Sequence, residues 1–293
     1  MHKTNPVKKV MAIHDLSGFG RASLSAIIPI LSTMGTQVCP VPTAILSTHT
    51  GNFENFTYVD LTDTMEAYIH HWKTLNLSFD CVYSGFLGSV RQIEIVSKAF
   101  DLFKTKENFV VVDPVMGDDG ELYQTMDETM VRAMKRLVAQ ADIITPNYTE
   151  AAFLLGRPYD LTIDEDQIKE WLKELSAMGP QIVILTSVPH DDNHKRTSVM
   201  AYNREHEVFW KVTCDYIPAY YPGTGDAFAS VVIGSLLQGD SLPIALERGV
   251  QFITTGIKAS YGFDYPKREG ILLERVLDSL KLPVMTSSYE LIK

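Results

Sequence analysis

Residues 109–115 read FVVVDPV: four apolar residues in succession, closed by a carboxylate, Asp113. A short apolar run without polar alternation reads as a strand buried on both faces, as in a parallel sheet. The pattern recurs on both sides of this segment. VMAIH (10–14), QVCPVPTAIL (37–46), CVYSGFL (81–87), DIITP (142–146) and QIVILTS (181–187) read as further strands. Segments of helical period separate them, at about 21–34, 63–75, 90–103, 127–140 and 165–178, with NYTEAAFLLG (147–156) following the fifth strand. RTSVMAYN (196–203) and EVFWKVT (207–213) then suggest an antiparallel hairpin, and helices at 225–238, 241–259 and about 270–281 close the chain. Right-handed crossovers between such strands give an α/β fold, a mostly parallel central sheet with helices on both faces. No linker, repeat or low-complexity stretch divides the chain, which reads as one domain over residues 1–293.

Ligands of such sheets bind at the carboxyl ends of the strands. Polar residues collect there: Asp15 after the first strand, His49 and Thr50 after the second, SGF (84–86) in the third. Asp113 ends the fourth, Thr145 and Asn147 follow the fifth, and Thr186 lies in the sixth. A further signal is YPGTGDAF (221–228), where a proline and two glycines precede the apolar segment 227–237. Asp226 there is open to two readings. It caps a helix, or it acts on a group that attacks phosphate held by the bare amides of the helix start.

Composition narrows the partners. Lys and Arg number 26 against 36 Asp and Glu, a net charge of −10, and no basic run is present, so no nucleic-acid partner is expected. Apolar residues at 45% and charged residues at 21% are ordinary for a globular enzyme. No stretch is long and apolar enough to span a membrane, and MHKTNPVKKVMAIHD does not read as a signal peptide. Cys39, Cys81 and Cys214 are odd in number and far apart, which suits a reducing, cytoplasmic setting better than disulfides or zinc. GFGRAS (18–23) imitates a dinucleotide fingerprint, but no Asp or Glu lies between Asp15 and Glu54 to bind a ribose, so hydride transfer is not expected.

Six motifs stand in order along the chain: STHTG (47–51), SGFLGS (84–89), DPVMGDDG (113–120), TPNYTEA (145–151), ILTS (184–187) and GTGDAF (223–228). Together they resemble the ribokinase superfamily, and within it the pyridoxal kinases, over almost the entire chain. The resemblance implies a three-layer α/β/α sandwich and transfer of the ATP γ-phosphoryl to the 5′-hydroxymethyl group of a B6 vitamer. It also implies Mg²⁺, a monovalent cation such as K⁺ or Na⁺, and a homodimer. By position, Asp226 matches the catalytic base and Gly223, Thr224 and Gly225 the anion hole. Asp113, Asp118 and Glu150 match acidic residues around the metal and phosphates, often acting through water. Asn147, Thr186 and Ser187 match nucleotide-side positions, and Thr145 a monovalent-cation site together with Asp113, Thr186 and Thr224. His49, Thr50 and Phe86 match the ring pocket.

The first loop departs from this pattern. Pyridoxal kinases commonly carry QSH after the first strand, and here HDLSGFG places Asp15 where their Ser stands. That loop resembles the hydroxymethylpyrimidine kinases, as does PTAIL (42–46), whereas Asp226 does not, since those enzymes usually have Cys there. Asp15 either faces the ligand, favouring a cationic ring nitrogen or amine, or holds its own loop. Hydroxymethylpyrimidine phosphorylation is therefore the alternative activity. A non-catalytic binder of pyridoxal phosphate or nucleotide is the alternative of a different class, and the intact Asp226 speaks against it.

Overall fold

The computed structural model describes residues 5–189, 196–284 and 288–292. Residues 1–4 of the amino-terminal segment discussed above lie outside the described residues. The order of elements follows the alternation in the sequence: β1 (Lys9–Ser17), α1 (Ser23–Thr33), β2 (Gln37–Leu46), β3 (Tyr58–Asp60), α2 (Thr62–Thr74), β4 (Cys81–Ser84), α3 (Val90–Phe103) and β5 (Phe109–Val112). A small hairpin, β6 (Gly117–Asp118) and β7 (Glu121–Leu122), precedes α4 (Glu128–Val138), β8 (Ile143–Ile144), α5 (Tyr148–Leu155), α6 (Glu165–Ala177) and β9 (Ile182–Val188). β10 (Arg196–Asn203), β11 (Val208–Asp215), α7 (Thr224–Leu237), α8 (Leu242–Tyr261) and β12 (Tyr289–Ile292) complete the fold.

Ten strands form one sheet in the order β12-β11-β10-β9-β8-β5-β4-β1-β2-β3. The strands from β9 to β2 run parallel; β3 at one edge and β10 to β12 at the other run antiparallel. Alternate residues of the central strands serve opposite faces, as the two-residue strand period requires. Met11, Ile13, Val82, Val110, Val112, Val183 and Leu185 pack under the layer of α2 to α6. Val10, Ala12, Cys81, Tyr83, Val111 and Ile184 pack under α1, α7 and α8. Each short strand is therefore apolar on both sides, which is why FVVV shows no alternation. Pro40 and Pro42 are tolerated in β2 because β3 covers only Ala44 to Leu46, leaving the outer edge beside the prolines without a partner strand.

The structure corrects the sequence expectations at several points. The segment 270–281 is not a helix but a chain of 3₁₀ turns, Leu273–Arg275 and Leu277–Lys281 after Lys267–Glu269. Ile271, Leu273, Val276 and Leu280 all enter one cluster against α1, α7 and α8; the last three keep a helical spacing, but Ile271, two residues before Leu273, would point away from that stripe. β3, the β6–β7 hairpin and the edge strand β12 are additions, too short to show a period. Among the described residues no helix is long and apolar enough to cross a membrane.

Candidate active site

The strand order changes direction at β1, whose neighbours are β2 on one side and β4 on the other. A crevice opens at such a switch point, at the carboxyl ends of the strands. Backbone hydrogen bonds continue past the strands and fix the residues of that rim. Gly85 donates to the carbonyl of Ile13, Asp113 to Ser84, Thr145 to Val112 and Thr186 to Pro146, at 2.8–3.2 Å. These contacts bring Asp15, Ser84–Phe86, Asp113, Thr145, Asn147 and Thr186 to one edge, as the sequence suggested.

Two helices start over this rim. Gly223 caps α7 with φ +83°, and a Cβ there would lie 2.1 Å from the carbonyl oxygen of Arg21, so only glycine fits. The amides of the first turn, Thr224 to Asp226, have no acceptor within the helix, and a Cβ on Gly225 would meet no protein atom within 4 Å. Asp226 reaches sideways to the start of α1. The Ser23 amide donates to its Oδ2 at 2.6 Å, and Ser23 holds a left-handed φ of +57° to aim that amide. The carboxylate of Asp226 is 13% exposed, partly open to the crevice.

Sequence reasoning missed His14. Its Nε2 lies 3.1 Å from Asp226 Oδ1 and its Nδ1 2.8 Å from Asp15 Oδ1, across a sequence gap of 212 residues in the first case. Burial alone would push the imidazole down, but the charge of Asp226 and the hydrogen bonds to Asp15 and Asp226 raise its pKa to about 10. With a proton on each nitrogen the ring is an imidazolium between two carboxylates; the Asp15 amide also points at Nδ1, at 3.0 Å. Gly85 lets the ring lie there, since a Cβ would be 2.0 Å from its Cδ2. The only signal in the sequence was two adjacent polar residues at the end of an apolar strand.

Asp15, placed at the ligand by one reading of the sequence, turns inward. Its Oδ1 accepts from His14 and from the Ser23 hydroxyl at 2.8 Å, its Oδ2 from the Ser17 hydroxyl at 3.0 Å, and it is 4% exposed. Burial works against its charge, yet these hydrogen bonds hold the carboxyl below the ordinary aspartate range. The loop-holding alternative accounts for this geometry.

The remaining acidic residues are Asp113, Asp118 and Glu150, the first near enough to Asp226 for its charge to be felt. Burial and the neighbouring charge of Asp226 raise Asp113 to about 7. Burial and the charge of Asp119 raise Asp118, and burial with the charge of Asp113 pushes Glu150 well up. Glu150 is also half of a capping box: its Oε2 accepts from the Asn147 amide at 2.8 Å while Asn147 Oδ1 accepts from the Glu150 amide at 2.8 Å. Its Oε1 accepts from the Met116 amide at 3.1 Å, and Asn147 Nδ2 donates to Gly117 O at 2.9 Å. Both side chains are committed to backbone, so any contact with a metal or nucleotide uses their remaining lone pairs or a water. Thr145 is buried, Thr186 half-buried and Ser187 exposed. Ser187 has φ +56° where β9 slips register against β10, a bulge that re-aims this pair at the rim. Among the described residues no three His, Cys, Asp or Glu side chains assemble to hold a metal by themselves.

His49 spends both ring nitrogens on backbone. Nε2 donates to the carbonyl of Arg268 at 2.7 Å and Nδ1 accepts from the Gly51 amide at 3.1 Å. Burial holds its pKa low, which suits this neutral tautomer. Its ring packs beside Gly20, where a Cβ would lie 2.4 Å away, so GFGRAS serves as a wall of the crevice against His49. Thr50 is exposed, and Phe86 is partly buried against the core under α2 to α6.

A carboxylate at the bare start of α7, an acidic group facing it, and a three-layer sandwich open at its switch point define a kinase of the ribokinase-like class. The family profile of the phosphomethylpyrimidine kinases matches residues 19–270, and the chain belongs to that family. A Bacteroides thetaiotaomicron protein provisionally assigned as a phosphomethylpyrimidine kinase, and crystallised with pyridoxal, is 54% identical. The match covers 98% of this chain and 100% of that one, with a TM-score of 0.95. Pyridoxal kinase from Lactobacillus plantarum is 31% identical over 94% of this chain and 97% of its own, with a TM-score of 0.85. The pyridoxine kinase of Bacillus subtilis is 27% identical over 254 residues, 86% of this chain and 91% of that protein. The chain is a kinase enzyme of this group.

Proposed function

We propose that the protein transfers the γ-phosphoryl group of ATP to the 5′-hydroxymethyl group of a B6 vitamer, pyridoxal, pyridoxamine or pyridoxine. The observation that carries this reading is Asp226, fixed by the Ser23 amide and His14 at the mouth of α7, where the unpaired amides of the first turn lie beside it. A primary alcohol is too weak an acid to ionise beforehand, so the carboxylate orients the hydroxyl and accepts its proton as the O–P bond forms. Gly223, Thr224 and Gly225 supply donors to the charge that spreads over the transferring group. The 54% identical relative crystallised with pyridoxal supports the vitamer as acceptor.

Magnesium fits the acidic side. Burial raises the pKa values of Asp113, Asp118 and Glu150, and the charges of Asp113 and Asp118 raise Glu150 further, a strain that a divalent cation would relieve. Mg²⁺ keeps several waters and few side-chain ligands. The three carboxylates would hold it largely through water, and bound there it neutralises phosphate charge; Thr145, with Asp113, Thr186 and Thr224, would take the monovalent cation, K⁺ or Na⁺. Asn147, Thr186 and Ser187 border the nucleotide, and His49, Thr50 and Phe86 border the vitamer ring. Three free cysteines and a need for ATP fit action in the cytoplasm, and a homodimer is the proposed assembly.

Hydroxymethylpyrimidine is the competing acceptor, favoured by the family profile and the HDLSGFG loop. A coupled ATP-consumption assay with Mg²⁺ across the three vitamers and hydroxymethylpyrimidine tests the assignment. Turnover of at least one vitamer is expected. Turnover of the pyrimidine alone would transfer the assignment to that substrate.

A further inference from the structure

We propose that His14 is a positioning residue for phosphoryl transfer, an imidazolium clamped by Asp15 that fixes Asp226 at the acceptor hydroxyl. The inference rests on the reading of Asp226 as base. Three features of the fold carry it. The ring bridges the two carboxylates, with Nε2 3.1 Å from Asp226 Oδ1 and Nδ1 2.8 Å from Asp15 Oδ1. A nitrogen 2.8 Å from a carboxylate oxygen needs a proton between them, because two acceptors at that distance repel. The ring itself is 2% exposed, seated on the bare face of Gly85.

Asp15 is fixed in turn by the hydroxyls of Ser17 and Ser23, and the Ser23 amide closes the circuit on Asp226 Oδ2. Rotation of the Asp226 carboxylate would therefore break two donors at once. This is the support an acceptor carboxylate needs, since a misplacement of about 1 Å can cost on the order of 10²-fold in rate. The charged groups around the ring are Asp15 on β1, Asp226 on α7 and, further off, Asp113 beyond β5; His49 senses the same two carboxylates as the ring. Tyr83 on β4 stays neutral, since burial and the charges of Asp113 and Asp226 push its pKa well up.

The step balances without His14 changing state. The bond from the acceptor oxygen to the γ-phosphorus forms, the bond from that phosphorus to the β,γ-bridging oxygen breaks, and ADP leaves with the electron pair. The hydroxyl proton passes to Asp226. His14 keeps both ring protons and acts through Asp226 alone.

The experiment compares His14→Gln, Asp15→Asn, the double variant and Asp226→Asn in the same coupled assay, with folding followed by circular dichroism. Glutamine still offers an N–H toward Asp226 but neither the charge nor the second anchor. For His14→Gln, kcat falls roughly 10²-fold with KM for both substrates near wild type. The Asp15→Asn loss is smaller and disappears in the His14→Gln background, because Asp15 acts through the ring. Wild-type kcat in His14→Gln, with Asp226→Asn inactive, overturns the inference and leaves the base intact. Wild-type kcat in both removes the base and the inference with it. A loss that only follows the folded fraction, or additive losses in the double variant, reduces His14 to a structural role. Should His14→Gln not fold, Asp15→Asn decides: a fall in kcat at constant KM supports the clamp, and an unchanged kcat overturns it.

Discussion

Replacing Asp226 by asparagine separates the two meanings of this residue, and the structure says how the amide is accommodated. Wild-type Asp226 accepts two donors, the Ser23 amide on Oδ2 and His14 on Oδ1. The asparagine oxygen keeps the first. Its NH₂ then faces His14 Nε2, a clash of donors unless the ring gives up that proton. The ring can do so, because the charge of Asp226 is among the causes that raise it from 6.5 to about 10. The variant therefore folds around a neutral His14, still donating from Nδ1 to Asp15. The stability lost is that of one hydrogen bond to a charged partner, about 1.5–3 kcal/mol. The catalytic loss is larger, since a positioned general base contributes about 10²–10⁴ in rate, or about 3–5 kcal/mol. Coupled assays should show kcat reduced by that factor at nearly constant KM. Thermal melts should fall by only a few degrees, and ¹⁵N spectra should show the His14 ring neutral near pH 8 instead of doubly protonated. Activity within about tenfold of wild type would refute the reasoning, leaving Asp226 as a cap for α1.

Gly225→Ala should lower kcat without lowering the melting temperature of the ligand-free protein, because the added Cβ meets no protein atom and can obstruct only the phosphoryl group; parallel loss of stability and rate would point to a conformational role. Asp15→Ser should reduce kcat/KM equally for pyridoxal and pyridoxamine, since both Asp15 oxygens are spent inside the protein, and a selective loss of pyridoxamine would restore a direct contact. The His14 pKa is raised on folding, so its ion pairs stabilise fully below about pH 6.5 and lose that contribution as pH climbs toward about 10. The melting-temperature gap between wild type and His14→Gln should shrink over that range, and a constant gap would mean that the ring is not protonated.

The fold was legible because its strands are buried on both faces. FVVV, CVYS and IVIL carry no polar alternation, and only a sheet covered on both sides asks that of a strand. The 270–281 segment failed for the opposite reason. Its apolar residues fit a helix in isolation, but their burial is dictated by the surfaces of α1, α7 and α8, and tertiary packing overrode local period. Candidate site residues at strand ends were legible for a topological reason, since any parallel sheet gathers those ends on one rim. What they do there was less so. Asp15, Glu150 and Asn147 look like ligand groups in the sequence, and each is largely occupied by its own backbone or loop.

The glycines of the site show where local pattern stops being informative. Gly85, Gly223 and Gly225 are equivalent as letters, all in small-residue turns beside a helix or strand end. In the fold, Gly85 is bare to admit the His14 ring and Gly223 to admit the Arg21 carbonyl, so both answer to other parts of the chain. Those neighbours are separated from them by about 70 and 200 residues of sequence, beyond any local rule. Gly225 alone answers to nothing in the protein. It lies one residue before Asp226, in the turn whose amides lack intrahelical acceptors, where an anion gains most from close approach to the backbone. The same contrast divides the carboxylates. Asp15 has its oxygens consumed by the fold, whereas Asp226 is held from behind by Ser23 and His14 with part of its surface left to the crevice. A bare glycine and a braced, partly open carboxylate on successive residues of one helix turn are the arrangement that the proposed in-line transfer between a phosphate and an alcohol would use.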